Sequence, residues 1–416
     1  MKLVKQVGTL ASANTVYLLS QLVILSLLTY LTDIATVAAF GYANAIIQPL
    51  YQLGLLGLRG NLATDARGEH GFGTFMSVRL VMSVILVIGL VGFFATFKPE
   101  YLLIALPLVF QKITEMQANL CYGAMQRAGK IAYIARSLLT RGPATLIVFA
   151  AVLWYTRSAE IALWTQTLVW SLILFFYDLP KVRSIGEKLT FDLDWRRVWK
   201  LGLGSAPLGI GQFFSVAQVS IPRLVVEATM DVRALALLTV VGYIQRAAIT
   251  LFHSVDQAIS WRLSRLWASG QIAQYRRILG RMVIVALGLG IVGCAVALLL
   301  GRQLLGLAFG PEYAAAGTLF NWIALAIGLR LVASVLQTAL ASQRRFMDFS
   351  KIQLVMVILT VPATLIGAKF GGVVGIGMAL AALTAVRVLI QYWYLRAKSS
   401  TPPVLKDDEK IPSALD

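Results

Sequence analysis

The long apolar runs of this sequence contain more basic side chains than acidic ones. A charged side chain at the centre of a membrane-spanning helix costs roughly 3 kcal/mol, so it normally faces a cavity or a partner. The bases inside these runs are Arg79, Lys112, Arg136, Arg141, Arg246, Arg330 and Arg387, and the acids are Glu115 and Asp256. An excess of buried cations suits an anionic ligand better than a cationic one.

Depth in the apolar runs divides these cations into two groups. Arg79 and Arg136 lie near the ends of their runs, where a long side chain can extend to the membrane interface. The others lie deeper, and we predict that they face a cavity and bind the substrate. They are Lys112, Arg141, Arg246, Arg330 and Arg387.

Two polar clusters hold groups that could change protonation during a transport cycle. Lys112 and Glu115 are three residues apart on one helix face, either as an internal ion pair or as an ion-coupling site. Arg246, His253 and Asp256 share one face of a later helix. His253 and Asp256 are one turn apart, which predicts either a protonation relay or a hydrogen-bonded pair near the interface.

Amide side chains lie on one face of the second apolar run. Asn44 and Gln48 are one helical turn apart there, and Gln52 follows one turn later. Amides in a cavity suit sugar hydroxyls, and amides between helices form interhelical hydrogen bonds. Both interpretations remain open, and we include Asn44 and Gln48 among the predicted substrate-binding residues.

Motifs for catalysis and nucleotide binding are missing from the sequence. It has no GxxxxGK[ST], HExxH or GxSxG pattern. Asp192-Leu193-Asp194 resembles the metal-binding DxD of glycosyltransferases, but no soluble catalytic domain surrounds it. We therefore predict a protein that is not an enzyme, with no catalytic residue, no cofactor and no metal site.

Composition places the chain in the class of polytopic helical membrane proteins. Of its 416 residues, 58% are hydrophobic and only 13% are charged, about half the charge of a soluble domain. The net charge of +18 fits basic cytoplasmic loops and anionic lipid headgroups, and we expect no nucleic acid partner.

Apolar runs of spanning length recur about twelve times along the chain. We place them at 8–31, 35–58, 75–97, 101–124, 132–155, 160–178, 201–226, 232–258, 283–309, 314–340, 352–368 and 371–395. The breaks between them alternate between very short ones and longer basic ones. The basic breaks predict the cytoplasmic side, together with both termini. We call this the basic side and the opposite side the outer side.

Short peptides recur in the same order in the two halves of the chain. Pro99-Glu100-Tyr101 matches Pro311-Glu312-Tyr313, and Gly41-Tyr42 matches Gly242-Tyr243. This predicts a parallel internal repeat of six helices, which places Lys112 and Arg330 in corresponding helices. The predicted units are a bundle over 1–180, a linker with an interfacial stretch over 181–200, a second bundle over 201–396 and a disordered tail over 397–416.

With these features the chain resembles the polysaccharide-repeat-unit flippases. These are the O-antigen, Wzx-type exporters of the MOP superfamily, which also contains the MATE drug antiporters and the lipid II flippases. Three segments carry the resemblance, together with the helix count: Gly310-Pro311-Glu312-Tyr313, Phe40-Gly41-Tyr42-Ala43 and Gly54-Leu55-Leu56-Gly57-Leu58-Arg59. The implied fold is all-α, with about 12 transmembrane helices in two pseudo-symmetric six-helix bundles around a central cavity.

The resemblance implies a flippase in the bacterial inner membrane. Its substrate would be an oligosaccharide repeat unit linked to undecaprenyl pyrophosphate, moved to the outer leaflet by alternating access for O-antigen, lipopolysaccharide or exopolysaccharide synthesis. Its partners would be membrane lipids and the polysaccharide polymerase machinery. The alternatives are a MATE-like antiporter of drugs or cations and a polytopic polysaccharide polymerase.

Overall fold

The computed structural model shows a bundle of long helices and describes residues 2–64, 70–343 and 345–397. Within these ranges, the side chains of 2–7, 64, 251, 253–259, 261, 346 and 397 are not described. The first half consists of α1 (Lys2–Leu31), α2 (Ile34–Leu55), α3 (Leu58–Thr64), α4 (Phe72–Phe97), α5 (Leu102–Arg127), α6 (Ile131–Thr156), α7 (Ala159–Ile173) and α8 (Leu179–Ser184). A π-helical turn, Leu174–Asp178, joins α7 to α8.

The second half consists of fewer and longer helices. They are α9 (Trp195–Thr229), α10 (Val232–Ala268), α11 (Ile272–Phe309), α12 (Gly317–Ser342) and α13 (Phe346–Ala397). The helix α13 contains two arms that meet at Gly372, whose φ of 57° and ψ of −142° are not helical. Glycine adopts this conformation without the steric cost of a Cβ atom.

The helix count agrees with the predicted architecture. Eight helical stretches are long and apolar enough to cross a membrane, and the last of them, Met347–Arg396, contains both arms of α13. The remaining predicted spans are α2, α5 and α9, which have spanning length but carry many of the amides and charges described below. The all-α polytopic fold class is therefore confirmed.

Matching turns begin corresponding helices in the two halves. The Asp33 carboxylate accepts a hydrogen bond from the Thr36 amide at the start of α2, and Asp231 accepts one from Ala234 at the start of α10. A carboxylate there satisfies an amide that has no partner inside the helix. The repeated Pro-Glu-Tyr peptides form 3-10 turns that lead into α5 and α12.

The segment between the halves packs against the beginning of α4. The Thr74 hydroxyl donates to the Asp192 carboxylate at 2.6 Å, and Asp194 caps the first turn of α9. A Cβ atom at Gly73 would lie 2.2 Å from the carbonyl oxygen of Thr190, so only glycine permits this contact. The predicted interfacial stretch from Trp195 to Lys200 belongs to α9, so this helix begins before the predicted span at 201.

Candidate functional site

A cavity of about 870 Å³ lies between the described helices and is larger than two cavities next to it. We call it the basic-side cavity, because Arg59, Asn61 and Gln126 at the basic ends of their helices line it. Its wall combines aromatic rings with amides and a few charged groups. The polar and aromatic lining residues are Asn14, Tyr17, Tyr51, Gln52, Arg59, Asn61, Glu115, Asn119, Tyr122, Gln126, Arg141, Trp170, Gln212 and Arg246.

Two smaller cavities lie next to it. One, of about 360 Å³, is the second-half cavity, and Arg223, Arg246 and Arg330 line it together with amides of α2. The other, of about 110 Å³, is the bridging cavity, and Lys112, Glu115 and Arg246 line it. Arg246 therefore lines all three cavities, and Asn44 and Gln48 line the two smaller ones.

Lys112 and Glu115 form the internal ion pair that was one of the two expected arrangements. The Lys112 Nζ lies 2.6 Å from a Glu115 carboxylate oxygen, one helical turn away. The same ammonium lies 5.0 Å from the centre of the Tyr51 ring, close enough for a cation–π contact. Glu115 therefore lines the cavity as one member of a pair.

Arg141 is paired with an acid that the sequence analysis did not select. Its Nη2 lies 2.8 Å from the Asp178 carboxylate, and the two side chains are 2% and 0% exposed. Arg141 also lies 4.9 Å from the Trp170 ring centre. Asp178 ends the π-helical turn, which precedes Pro180 near the start of α8. A proline has no backbone N–H and cannot continue the regular helical hydrogen bonds. Pro180, two positions after Asp178, was therefore the available sequence signal of an irregular turn at this acid.

The second-half cavity collects cations without carboxylate partners. Arg246 Nη2 lies 3.5 Å from Gln48 Oε1, across the boundary between the halves. Among the described residues, neither Arg223 nor Arg330 forms an ion pair. Arg223 lies near the end of the predicted span 201–226, yet it is buried and lies 5.8 Å from the Tyr243 ring centre.

Room for the Arg223 guanidinium comes from a glycine on the neighbouring helix. A Cβ atom at Gly242 would lie 2.4 Å from Arg223 Nη2. Gly242 and Tyr243 are the pair that the sequence matched with Gly41 and Tyr42 of the first half. The repeated motif could thus have indicated a close approach in α10, although it did not indicate which side chain approaches.

The remaining predicted residues lie away from these cavities or outside the described side chains. Arg387 is 1% exposed and donates to Gln218 Oε1 at 2.7 Å and to Gln353, and it lines none of the three cavities. Arg79 does not extend to the interface as expected, because it is fully buried and donates to the Gly54 carbonyl oxygen. His253 and Asp256 lie in the part of α10 whose side chains are not described.

Several contacts join the two halves toward the outer side. Lys98 and Glu227 form an ion pair at 2.6 Å, and the Tyr30 hydroxyl donates to the Leu307 carbonyl oxygen at 2.6 Å. A Cβ atom at Gly41 would lie 1.8 Å from Thr239 Oγ1, so α2 and α10 approach each other closely. None of these contact residues lines one of the three cavities.

A sequence comparison with known proteins finds a relative that covers most of the chain. The chain is 22% identical over 341 residues to the capsular polysaccharide biosynthesis protein CapF of Staphylococcus aureus, covering 80% of this chain and 83% of that protein. No protein-family model matches the chain.

Two solved structures are similar over nearly the whole chain. One is an inward-facing MATE multidrug resistance transporter of the MOP superfamily, with a TM-score of 0.75, 12% identity, and coverage of 91% of this chain and 93% of that one. The other is the lipid II flippase MurJ in an inward closed conformation, with a TM-score of 0.73, 11% identity, and coverage of 92% and 86%. The chain is therefore a multi-pass membrane protein with the fold of the MOP-superfamily transporters.

Proposed function

We propose that this protein is a flippase for an oligosaccharide repeat unit linked to undecaprenyl pyrophosphate. The observation that carries the proposal is the position of Arg246, which lines all three cavities and whose partner among the described side chains is an amide. Arg223 and Arg330 line one of the same cavities. A cavity whose guanidinium groups have no carboxylate partner among the described residues suits an anion. A pyrophosphate carries several negative charges.

The residue types suit a pyrophosphate and a glycan in neighbouring places. A guanidinium presents parallel N–H donors that match two oxygens of a phosphate. Tyrosine rings and amides along the basic-side cavity can pack on sugar rings and bond their hydroxyls. We include Lys112 and Arg141 in the wall of the site, with their charges already balanced by Glu115 and Asp178.

Transport of a cationic drug, as by a MATE-type antiporter, fits these cavities less well. A cation needs an unpaired acid, and Glu115, the acid that lines two of the cavities, is paired with Lys112. The likeness to a capsular polysaccharide protein also favours a glycan substrate over a drug.

In the proposed cycle, the bundles 1–180 and 201–396 rock about the boundary that contains Gln48 and Arg246, joined by the linker 181–200. The basic loops and both termini lie in the cytoplasm of a bacterium, and the polymerase machinery takes up the product. Moving an anion outward from a negative interior is favourable by about 2.3 kcal/mol per charge per 100 mV. Glu115 or the His253–Asp256 pair would couple a proton if transport is coupled.

The decisive experiment replaces two cations of the second-half cavity, Arg246 and Arg330. Arg246→Ala and Arg330→Ala, alone and together, are expressed in cells that lack the native gene. We expect normal abundance in the membrane, loss of surface polysaccharide and accumulation of lipid-linked sugar. Arg277→Ala is the matched control, because Arg277 is an exposed arginine that lines none of the three cavities.

Normal surface polysaccharide in the double variant would refute the proposal. Export of a cationic dye, measured in the same cells, tests the antiporter alternative, which requires dye export by the parent protein.

The orientation of the protein in the membrane has its own test in a cysteine-free background. A cysteine at Ser184 should resist an impermeant thiol reagent in intact cells, whereas one at Ser158 should react.

A further inference from the structure

A tight turn between α2 and α3 redirects the chain into the basic-side cavity. Leu56 and Gly57 both have positive φ angles, of 49° and 64°. A bulky residue such as leucine rarely adopts this conformation, which costs on the order of 1–3 kcal/mol and persists where the surroundings require it. The turn lies within the segment from Gly54 to Arg59, one of the three that resembled the flippases, and places Arg59 in the cavity wall.

The backbone of Arg59 is held by close packing. A Cβ atom at Gly123 of α5 would lie 3.1 Å from the Arg59 carbonyl oxygen, so the two helices touch through their backbones. The guanidinium carbon lies 5.6 Å from the Tyr122 ring centre, and Nη2 lies 3.5 Å from Gln126 Oε1. Both contacts are to uncharged groups, and in the described part of the chain Arg59 has no carboxylate partner.

Arg59 and Arg246 belong to different parts of the cavity wall. Gln48, the partner of Arg246, lies in α2 seven positions, roughly 10 Å, before the helix ends at Leu55, and Arg59 follows only after the turn at Leu56 and Gly57. The wall between them presents Tyr51, Gln52 and other neutral polar groups. An anion at Arg59 would therefore belong to a different part of the substrate from the anion at Arg246.

We propose that Arg59 and Gln126 form a second anion site, which binds the carboxylate of an acidic sugar in the transported glycan. This inference rests on the proposed function, because it assumes that the pyrophosphate lies near Arg246. A guanidinium binds both oxygens of a carboxylate through parallel donors, and the Tyr122 ring fixes its plane. Gln126 accepts from Arg59 through its oxygen and keeps its amide nitrogen as a further donor.

The test compares three probes that share one polyprenyl pyrophosphate. The first carries a disaccharide ending in glucuronic acid, the second a disaccharide ending in glucose, and the third no sugar. Binding to the purified full-length protein in nanodiscs is measured for the parent, Arg59→Ala, Arg59→Lys, Arg246→Ala and the exposed control Arg277→Ala.

We expect the parent to bind the glucuronic acid probe about tenfold more tightly than the glucose probe, the scale of a charged hydrogen bond. Arg59→Ala should abolish this preference and leave the affinities for the other two probes unchanged. Arg59→Lys should retain part of the preference, because it keeps the charge and loses the planar fork. Arg277→Ala should behave as the parent does.

Two results would overturn the second site. Arg59→Ala could preserve the tenfold preference, or it could weaken all three probes equally, which would assign Arg59 to the pyrophosphate. Failure of the proposed function has a different signature, because Arg246→Ala would then bind the sugar-free probe as tightly as the parent does. Arg59→Lys keeps the experiment decisive if Arg59→Ala does not fold.

Discussion

The cations that lie deep in the predicted spans have different partners in the two halves. In the first half, Lys112 is paired with Glu115 and Arg141 with Asp178, at 2.6 and 2.8 Å. In the second half, the described partners of Arg223, Arg246 and Arg387 are neutral. Arg246 meets Gln48, Arg387 meets Gln218 and Gln353, and Arg223 meets the ring of Tyr243.

This difference separates cations that maintain the fold from cations that are available to a ligand. A buried pair has little net charge, and removal of one member leaves the other uncompensated at a cost of several kcal/mol. A cation among amides keeps its positive potential, because no carboxylate neutralises it. Lys112 and Arg141 therefore add little net charge to the cavity wall, and the second half supplies the positive charge that we assign to pyrophosphate binding.

The largest effect should follow from breaking the buried pair of the first half. Asp178→Ala leaves Arg141 uncompensated between α6 and the π-helical turn, which should lower the free energy of unfolding by about 3–5 kcal/mol. The measurement is thermal unfolding of the purified protein in detergent. Glu187→Ala is the control, because it breaks the more exposed pair with Arg127, where about 1 kcal/mol or less is expected. Equal losses in the two variants would contradict the distinction.

A smaller effect is expected where the halves meet at the outer side. Gly41→Ala places a Cβ atom 1.8 Å from Thr239 Oγ1, and overpacking of this kind costs about 1–3 kcal/mol. Thermal unfolding should show the loss, and Thr239→Ala in the same chain should restore part of it, because it removes two of the three nearest atoms. A parent-like Gly41→Ala protein would mean that α2 and α10 are further apart than described.

The third prediction tests the comparison in the second half. Arg387→Met removes a buried cation whose described partners are amides, so we expect a loss of unfolding free energy of about 1–3 kcal/mol, the cost of leaving the oxygens of Gln218 and Gln353 without a donor. Arg141→Met, the matched variant of the first half, leaves Asp178 buried without its cation and should lose about 3–5 kcal/mol. If both variants lose the same amount, Arg387 has an acidic partner and the comparison fails.

Sequence alone predicted the fold class and the excess of buried cations. The spans follow from hydropathy, and depth along a span identifies residues such as Arg246, because a charge there needs a reason. The sequence also suggested a pair for Lys112, since Glu115 is one helical turn away. Local spacing settles contacts of this kind.

Long-range partners could not be predicted in the same way. Asp178 lies 37 positions from Arg141, and a π-helical turn shifts its direction relative to an ideal helix. The burial of Arg223, near the end of the predicted span 201–226, could not be predicted. Nothing in the neighbouring sequence shows that Gly242 leaves room for its side chain. The position of Arg387 away from the three cavities depends on how α9 and the two arms of α13 pack, which no single-sequence pattern specifies.

The smallest effect should come from the Lys98–Glu227 pair, which joins a cation of the first half to a carboxylate of the second. The Lys98 side chain is 30% exposed, so its coupling with Glu227 should be about 0.2–1 kcal/mol in a double-mutant cycle of Lys98→Met and Glu227→Gln. The hydrogen bond to Glu227 raises the pKa of Lys98. The coupling is therefore fully present below the ordinary lysine pKa of about 10.4 and is lost as the pH rises through the raised value. Thermal unfolding at about pH 7, 9 and 11 should give equal coupling at the first two and less at the third, and added salt should weaken it. A coupling above about 3 kcal/mol would show instead that this outer contact is a buried pair like that of Arg141 and Asp178.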